Sequence, residues 1–112
     1  MEAETCLRLA CETPNIVAVK EASGKYSQVA DIIAGAPEGF SVLSGDDDFT
    51  MAFMTAGAKG VISVASNILP GMMVNFVEAL GAPAVCGDEL GAGNVDMVAA
   101  ERLYYRLRPL FS

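Results

Sequence analysis

The sequence predicts an α/β fold built on a parallel sheet. Three short β-branched runs are each followed by a turn and then by a stretch with helical spacing. The runs are apolar at successive positions and do not alternate, as expected of strands covered on both faces. Hydrophobic residues make up 53% of the 112 and charged residues 19%, which suits one small packed domain and not a disordered chain.

Residues 2–11 read as a helix with an apolar stripe of Cys6, Leu7, Leu9 and Ala10, stopped by Thr13-Pro14. The first strand is 15–19. Ser23-Gly24 turns the chain into a helix over 26–34, with Val29, Ile32 and Ile33 on one side. Gly35-Ala36-Pro37-Glu38-Gly39 breaks that helix, and the second strand spans 40–44. Gly45 and three aspartates lead into a helix over 49–56. Gly57 and Gly60 bracket the next turn, and the third strand is 61–65. Asn67 is placed to cap the following helix, which tolerates Pro70 in its first turn and runs to residue 80. Residues 81–94, rich in Gly and Ala with Pro83, read as a loop. Residues 95–107 form a last amphipathic helix ended by Pro109. Met51, Met54, Met72, Met73 and Met97 sit at helical spacings, and Tyr26, Tyr104 and Tyr105 fall in helices, so packing roles are expected for all eight.

Strand starts recur at roughly 20–25 residues, near the repeat of a (β/α)8 barrel, which takes about 250 residues to close. The reading is therefore an incomplete barrel over 1–80, a loop over 81–94 and a C-terminal helix within 95–112. An open sheet has two unpaired edges, and apolar edges invite pairing with other chains. A homo-oligomer, or association with the missing part of the barrel, is expected.

Composition removes several classes of function. A net charge of −7 without any basic cluster argues against nucleic acid and anionic membranes as partners. No apolar run reaches membrane-spanning length, and the acidic N-terminus resembles no targeting peptide, so a cytoplasmic location is expected. The absence of histidine excludes a Cys/His zinc site, a Ser-His-Asp triad and a Cys-His dyad within this chain. Cys6, Cys11 and Cys86 show no CxxC spacing and read as buried reduced thiols. Asp46-Asp47-Asp48 offers carboxylates to a hard cation, but capping of the following helix accounts for it without one. No metal and no cofactor are called for.

Lys20 is the first candidate for chemistry. It ends the apolar run of the first strand, where desolvation penalises an ammonium. The same penalty favours the free amine, which attacks carbonyls to give a Schiff base. The competing reading is a surface lysine snorkelling from a strand end. Glu21, its neighbour, should point to the opposite face as an ion-pair partner.

Three motifs carry a family resemblance. Val-Ala-Val-Lys-Glu-Ala-Ser-Gly at 17–24, Leu-Ser-Gly-Asp-Asp at 43–47 and Gly-Ala-Lys-Gly-Val-Ile-Ser-Val-Ala-Ser-Asn at 57–67 resemble, in order and separation, those of the dihydrodipicolinate synthase family. The resemblance covers 1–80 and returns over 95–111, and it implies strands six, seven and eight of a TIM barrel with flanking helices. It implies a lyase of lysine and diaminopimelate biosynthesis, in which Lys20 condenses with pyruvate and the enamine attacks aspartate semialdehyde. Gly45 and Ile62 match positions whose backbone faces the pyruvate-derived group. A glycine after a strand allows such close approach, while a simple turn at Gly45 and core packing at Ile62 are the plainer alternatives. The family's relay of a threonine and tyrosines, and its Thr-Thr-Gly-Glu-type carboxylate motif, have no counterpart here, so the chain alone is expected to be inactive. A related pyruvate aldolase acting on N-acetylneuraminate or 2-keto-3-deoxy sugars is the other enzymatic reading. A non-catalytic half-barrel is the non-enzymatic one.

Overall fold

The computed structural model describes residues 1–82 and 94–111. Helices and strands alternate: α1 (Ala3–Glu12), β1 (Ala18–Glu21), α2 (Tyr26–Gly35), β2 (Ser41–Ser44), α3 (Thr50–Ala56), β3 (Gly60–Val61), α4 (Pro70–Ala79) and α5 (Met97–Leu107). Short 3-10 turns at Ala65–Asn67 and Arg108–Leu110 precede α4 and follow α5. The strands form one parallel sheet in the order β1-β2-β3, with Lys20 opposite Leu43 and Leu43 opposite Gly60. Most of the loop expected at 81–94, with Pro83 and Cys86, lies outside the described residues.

The sheet is clothed on one face. Glu21, Val42 and Ser44 point into the helices and are buried, whereas Ala18 and Lys20 on the alternate face are exposed. The core unites Cys6 of α1, Val29 and Ile32 of α2, Val42 of β2, and Phe53 and Met54 of α3. Met73 and Phe76 of α4 with Ala100 and Leu107 of α5 continue it. Burying a side chain as large as Phe53 or Phe76 stabilises the fold by about 1.5–3 kcal/mol. Close backbone packing helps: a Cβ on Gly35 would stand 2.7 Å from Leu7 Cδ1, so the glycine lets α1 seat against the end of α2. Gly57 closes α3 at a φ of 122°, a conformation in which L side chains are strained.

Several expectations are corrected. The first strand begins three residues later than predicted, because Thr13-Pro14 is followed by a turn in which Ile16 N donates to Thr13 O. Lys20 thus lies within the paired segment, on an open face and not at the end of a buried run. The third strand is shorter than predicted. Ile62 N donates to Ser44 O, the last acceptor of β2, and the chain beyond has no strand beside it. Asn67 does not cap α4; its Nδ2 donates to Val64 O, and Leu69 is the N-cap with Pro70 behind it. Leu9, Met97, Tyr26, Tyr105 and Cys11 are exposed, since amphipathic spacing cannot tell the rim of a helix stripe from its centre. Met54 and Met73 are core, Met51 and Met72 flank it, and Tyr104 packs beside Phe76 and Phe111.

Truncating the centre of this core should be severe and trimming its rim nearly silent. Phe53→Ala is expected to cost about 3–5 kcal/mol and Ile32→Val about 1 kcal/mol. Tyr105→Ala, at an exposed position, should stay within about 0.5 kcal/mol. Urea unfolding followed by circular dichroism checks the ranking.

Candidate functional site

The carboxyl ends of the three strands gather the residues singled out by sequence. Parallel register sets Lys20 beside Leu43 and Gly60, so Gly45 and Ile62, each two residues further on, fall on the same face. Gly45 lies against Lys20 itself. A Cβ there would stand 2.8 Å from Lys20 Cε, 3.0 Å from Lys20 Cγ and 2.8 Å from Ala22 Cβ. The missing side chain is therefore what lets the lysine lie across the end of β2. Among the described residues no carboxylate is within ion-pair distance of the Lys20 ammonium; the ion pair present is Arg8–Glu12 on the surface of α1.

Gly45 and Ile62 leave backbone acceptors unused at these strand ends. Gly45 N donates to Glu21 O and Ile62 N donates to Ser44 O, both at 2.8 Å. Their N–H groups are spent on extending the ladder, and their carbonyl oxygens have no backbone partner among the described residues. Ile62 is 48% exposed and Val64 76%, so core packing does not explain Ile62.

Behind the strands lies a buried polar layer. Glu21 takes Ser23 N on Oε1 at 3.0 Å and Gln28 Nε2 on Oε2 at 3.1 Å. It occupies the face opposite Lys20 as expected, but hydrogen bonds replace the anticipated ion pair. Burial pushes its carboxyl up, and the bonds from Gln28 and Ser23 more than reverse this, holding it below the usual carboxylate range. The thiol of Cys6 is pushed up, first by burial and then by the Glu21 carboxylate, which suits an unreactive core cysteine.

The aspartate run does not cap α3, whose N-cap is Phe49 without a side-chain bond. Each aspartate has a separate task. Asp46 Oδ1 accepts from Asp48 N at 3.2 Å, while its carbonyl accepts from Ser44 Oγ at 2.8 Å and Thr50 Oγ1 at 2.9 Å. Asp47 Oδ2 accepts from Val64 N at 3.0 Å and Ala65 N at 2.9 Å. Asp48 Oδ1 accepts from the Tyr104 hydroxyl at 2.9 Å, tying α5 to the loop after β2. Burial and that bond push the Tyr104 phenol up. Among the described residues no group of three or more His, Cys, Asp or Glu could hold a metal ion, and no helix is long and apolar enough to cross a membrane. The Ser44–Thr50 pair and the reach of Asp47 to Val64 and Ala65 are not legible in the sequence. The available signal was surplus: one carboxylate suffices to cap a helix, and three stand here.

Residues 1–87 match the model of the dihydrodipicolinate synthetase family. A 4-hydroxy-tetrahydrodipicolinate synthase of Chlorobium phaeovibrioides is 43% identical over 111 residues, covering 99% of this chain and 33% of that protein. The protein of that name from Parabacteroides distasonis is 56% identical over 70 residues, or 62% of this chain and 24% of that one. The crystal structure of dihydrodipicolinate synthase from Aquifex aeolicus matches with a TM-score of 0.83 at 37% identity, over 98% of this chain and 33% of that one. The lysine-bound structure from Cyanidioschyzon merolae gives 0.81 at 36%, over 99% and 34%. The chain spans about a third of the length of the relatives it matches.

Glu21 gives this region a pH signature. A carboxyl depressed by folding stabilises the fold above its unfolded pKa, and the contribution is lost as pH falls through the lower folded value. Wild type should therefore exceed Glu21→Gln in stability at pH 7, and the gap should close as pH falls below the ordinary value of 4.5. Urea midpoints of both proteins across that range check the sign; a gap that widens in acid contradicts it.

Proposed function

The chain belongs to the dihydrodipicolinate synthetase family, and on that premise we propose that Lys20 is the amine that captures pyruvate. Its lone pair adds to the keto carbon, the carbinolamine expels water, and an iminium forms. Loss of a proton from the methyl carbon gives an enamine. That carbon then bonds to the aldehyde carbon of aspartate semialdehyde, the condensation of a synthase serving lysine and diaminopimelate formation. The observation that carries the reading is the close approach of Lys20 to the bare Cα of Gly45, which seats the amine across the carboxyl end of β2. The free carbonyls of Gly45 and Ile62 are suited to accept from the iminium N–H or from a protonated intermediate. The names of the matched relatives favour the synthase over the sugar-acid lyases.

The three strands correspond, in this reading, to the sixth, seventh and eighth of a TIM barrel, whose active groups sit at the carboxyl ends of the strands. Among the described residues Lys20 is exposed and Val64 stands largely in water, so in this reading the wall that keeps solvent from the amine comes from the rest of a barrel. So do the acid–base groups, which are worth about 10²–10⁴ in rate for each step. This chain supplies the nucleophile and part of its cradle. Association, with a second copy or with the rest of a barrel, would cover the open sheet.

Pyruvate followed by borohydride should leave a reduced pyruvyl group on Lys20, located by peptide mapping, and Lys20→Ala should abolish it. Gly45→Ala should lower the yield on the order of tenfold, because the new methyl displaces the lysine. An adduct spread over Lys25 and Lys59, or one that survives Lys20→Ala, would sink the assignment.

A further inference from the structure

We infer that Asp47 is a positioning residue for the Lys20 site, acting through the backbone beyond β3 and not by touching substrate. The inference rests on the Schiff-base reading of Lys20. After Ile62 the chain has lost its strand partner, because β2 ends at Ser44. The next amides are taken by a side chain instead: Val64 N and Ala65 N both donate to Asp47 Oδ2. Asp47 stands two residues after Gly45, so one carboxylate cross-ties the loop beyond β2 to the segment beyond β3. The first holds Gly45, which lies against Lys20, and the second follows Ile62, which shares the sheet face of Lys20.

The tie is itself braced and enclosed. The Asp46 carbonyl, one residue before it, is gripped by Ser44 Oγ and Thr50 Oγ1, and both of those side chains are fully buried. Asp47 is 8% exposed and Ala65 3%. Water therefore has little access to replace the bonds, and losing the carboxylate leaves Ala65 N buried without a partner. Both bonds fall on one oxygen, and Oδ1 is buried with no partner. One acceptor oxygen at that position is thus the whole requirement. Asparagine can supply it and alanine cannot. Glutamate carries the acceptor one methylene too far.

The test compares D47A, D47N and D47E in the full chain, by amide hydrogen exchange and by the pyruvate concentration that half-saturates borohydride-trapped adduct. D47A is expected to speed exchange at Ile62, Val64 and Ala65 on the order of tenfold, with the β1–β2 amides unchanged, and to raise half-saturating pyruvate by a similar factor. D47N should restore both to within about twofold of wild type. If D47A does not fold, D47E takes its place with the same expectation. Faster exchange spread evenly over the sheet, with half-saturation unmoved, would reduce Asp47 to a stabilising contact and overturn the inference, as would wild-type values in both D47A and D47E. Should wild type itself trap no pyruvate, the Schiff-base reading fails. The exchange pattern at Ile62 then decides the positioning role alone.

Discussion

Parallel pairing is the constraint on which the rest of this structure depends. With β1, β2 and β3 in register, every second residue must share a face, and the faces cannot be mixed. Glu21, Val42 and Ser44 therefore go to the helices together, while Lys20, Leu43, Gly45 and Ile62 go to the other side together. A slip of one residue would bury an ammonium on the helical face and turn Glu21 outward. The helical face has enough apolar bulk to forbid that, and the register holds.

The two faces are built on different physics. On one side, Val29, Ile32, Phe53 and Phe76 pack without any exposure, and burial of apolar area stabilises the arrangement. On the other, a lysine, a bare glycine and exposed β-branched side chains meet at the strand ends with little covering them. Between the two lies the polar layer of Glu21, Ser44, Asp47 and Thr50, each buried and each bonded at least once. Such a layer tolerates few changes, because an unpaired buried donor or acceptor costs about 1–3 kcal/mol. It fixes backbone atoms at the carboxyl ends of the strands.

Helices were more legible in the sequence than strands. α1, α2, α3 and α5 lie within two residues of the ends read from apolar spacing and from stops such as Pro14 and Gly57, since helix signals repeat over many residues. β1 and β3 moved because a strand exists only where a neighbour offers partners. Val64 and Ala65 have the composition of a strand, yet their amides bond to a carboxylate and the chain coils into a 3-10 turn. Asn67 has a capping residue's chemistry but sits within that turn, two residues before the position where a cap is needed. At the site, Lys20 is visible as a residue type at a strand end, whereas Gly45 and Ile62 rest on the family resemblance. Asp47 was read as a local cap, and its partners seventeen and eighteen residues away could not be seen.

By itself the sequence determined the α/β class, the order of strands and helices, the absence of histidine chemistry and the identity of the one lysine that ends an apolar run before a small-residue turn. These are local properties, written in the periodicity and chemistry of neighbouring residues. Tertiary structure alone decided which face Lys20 occupies, that Gly45 lies against its Cε, that Glu21 is held by Gln28 instead of an ion pair, and that Asp47 reaches across to the segment after β3. Each of these depends on register and on the distance between segments remote in the chain. Packing against a neighbour sets such quantities, and propensity carries no information about them.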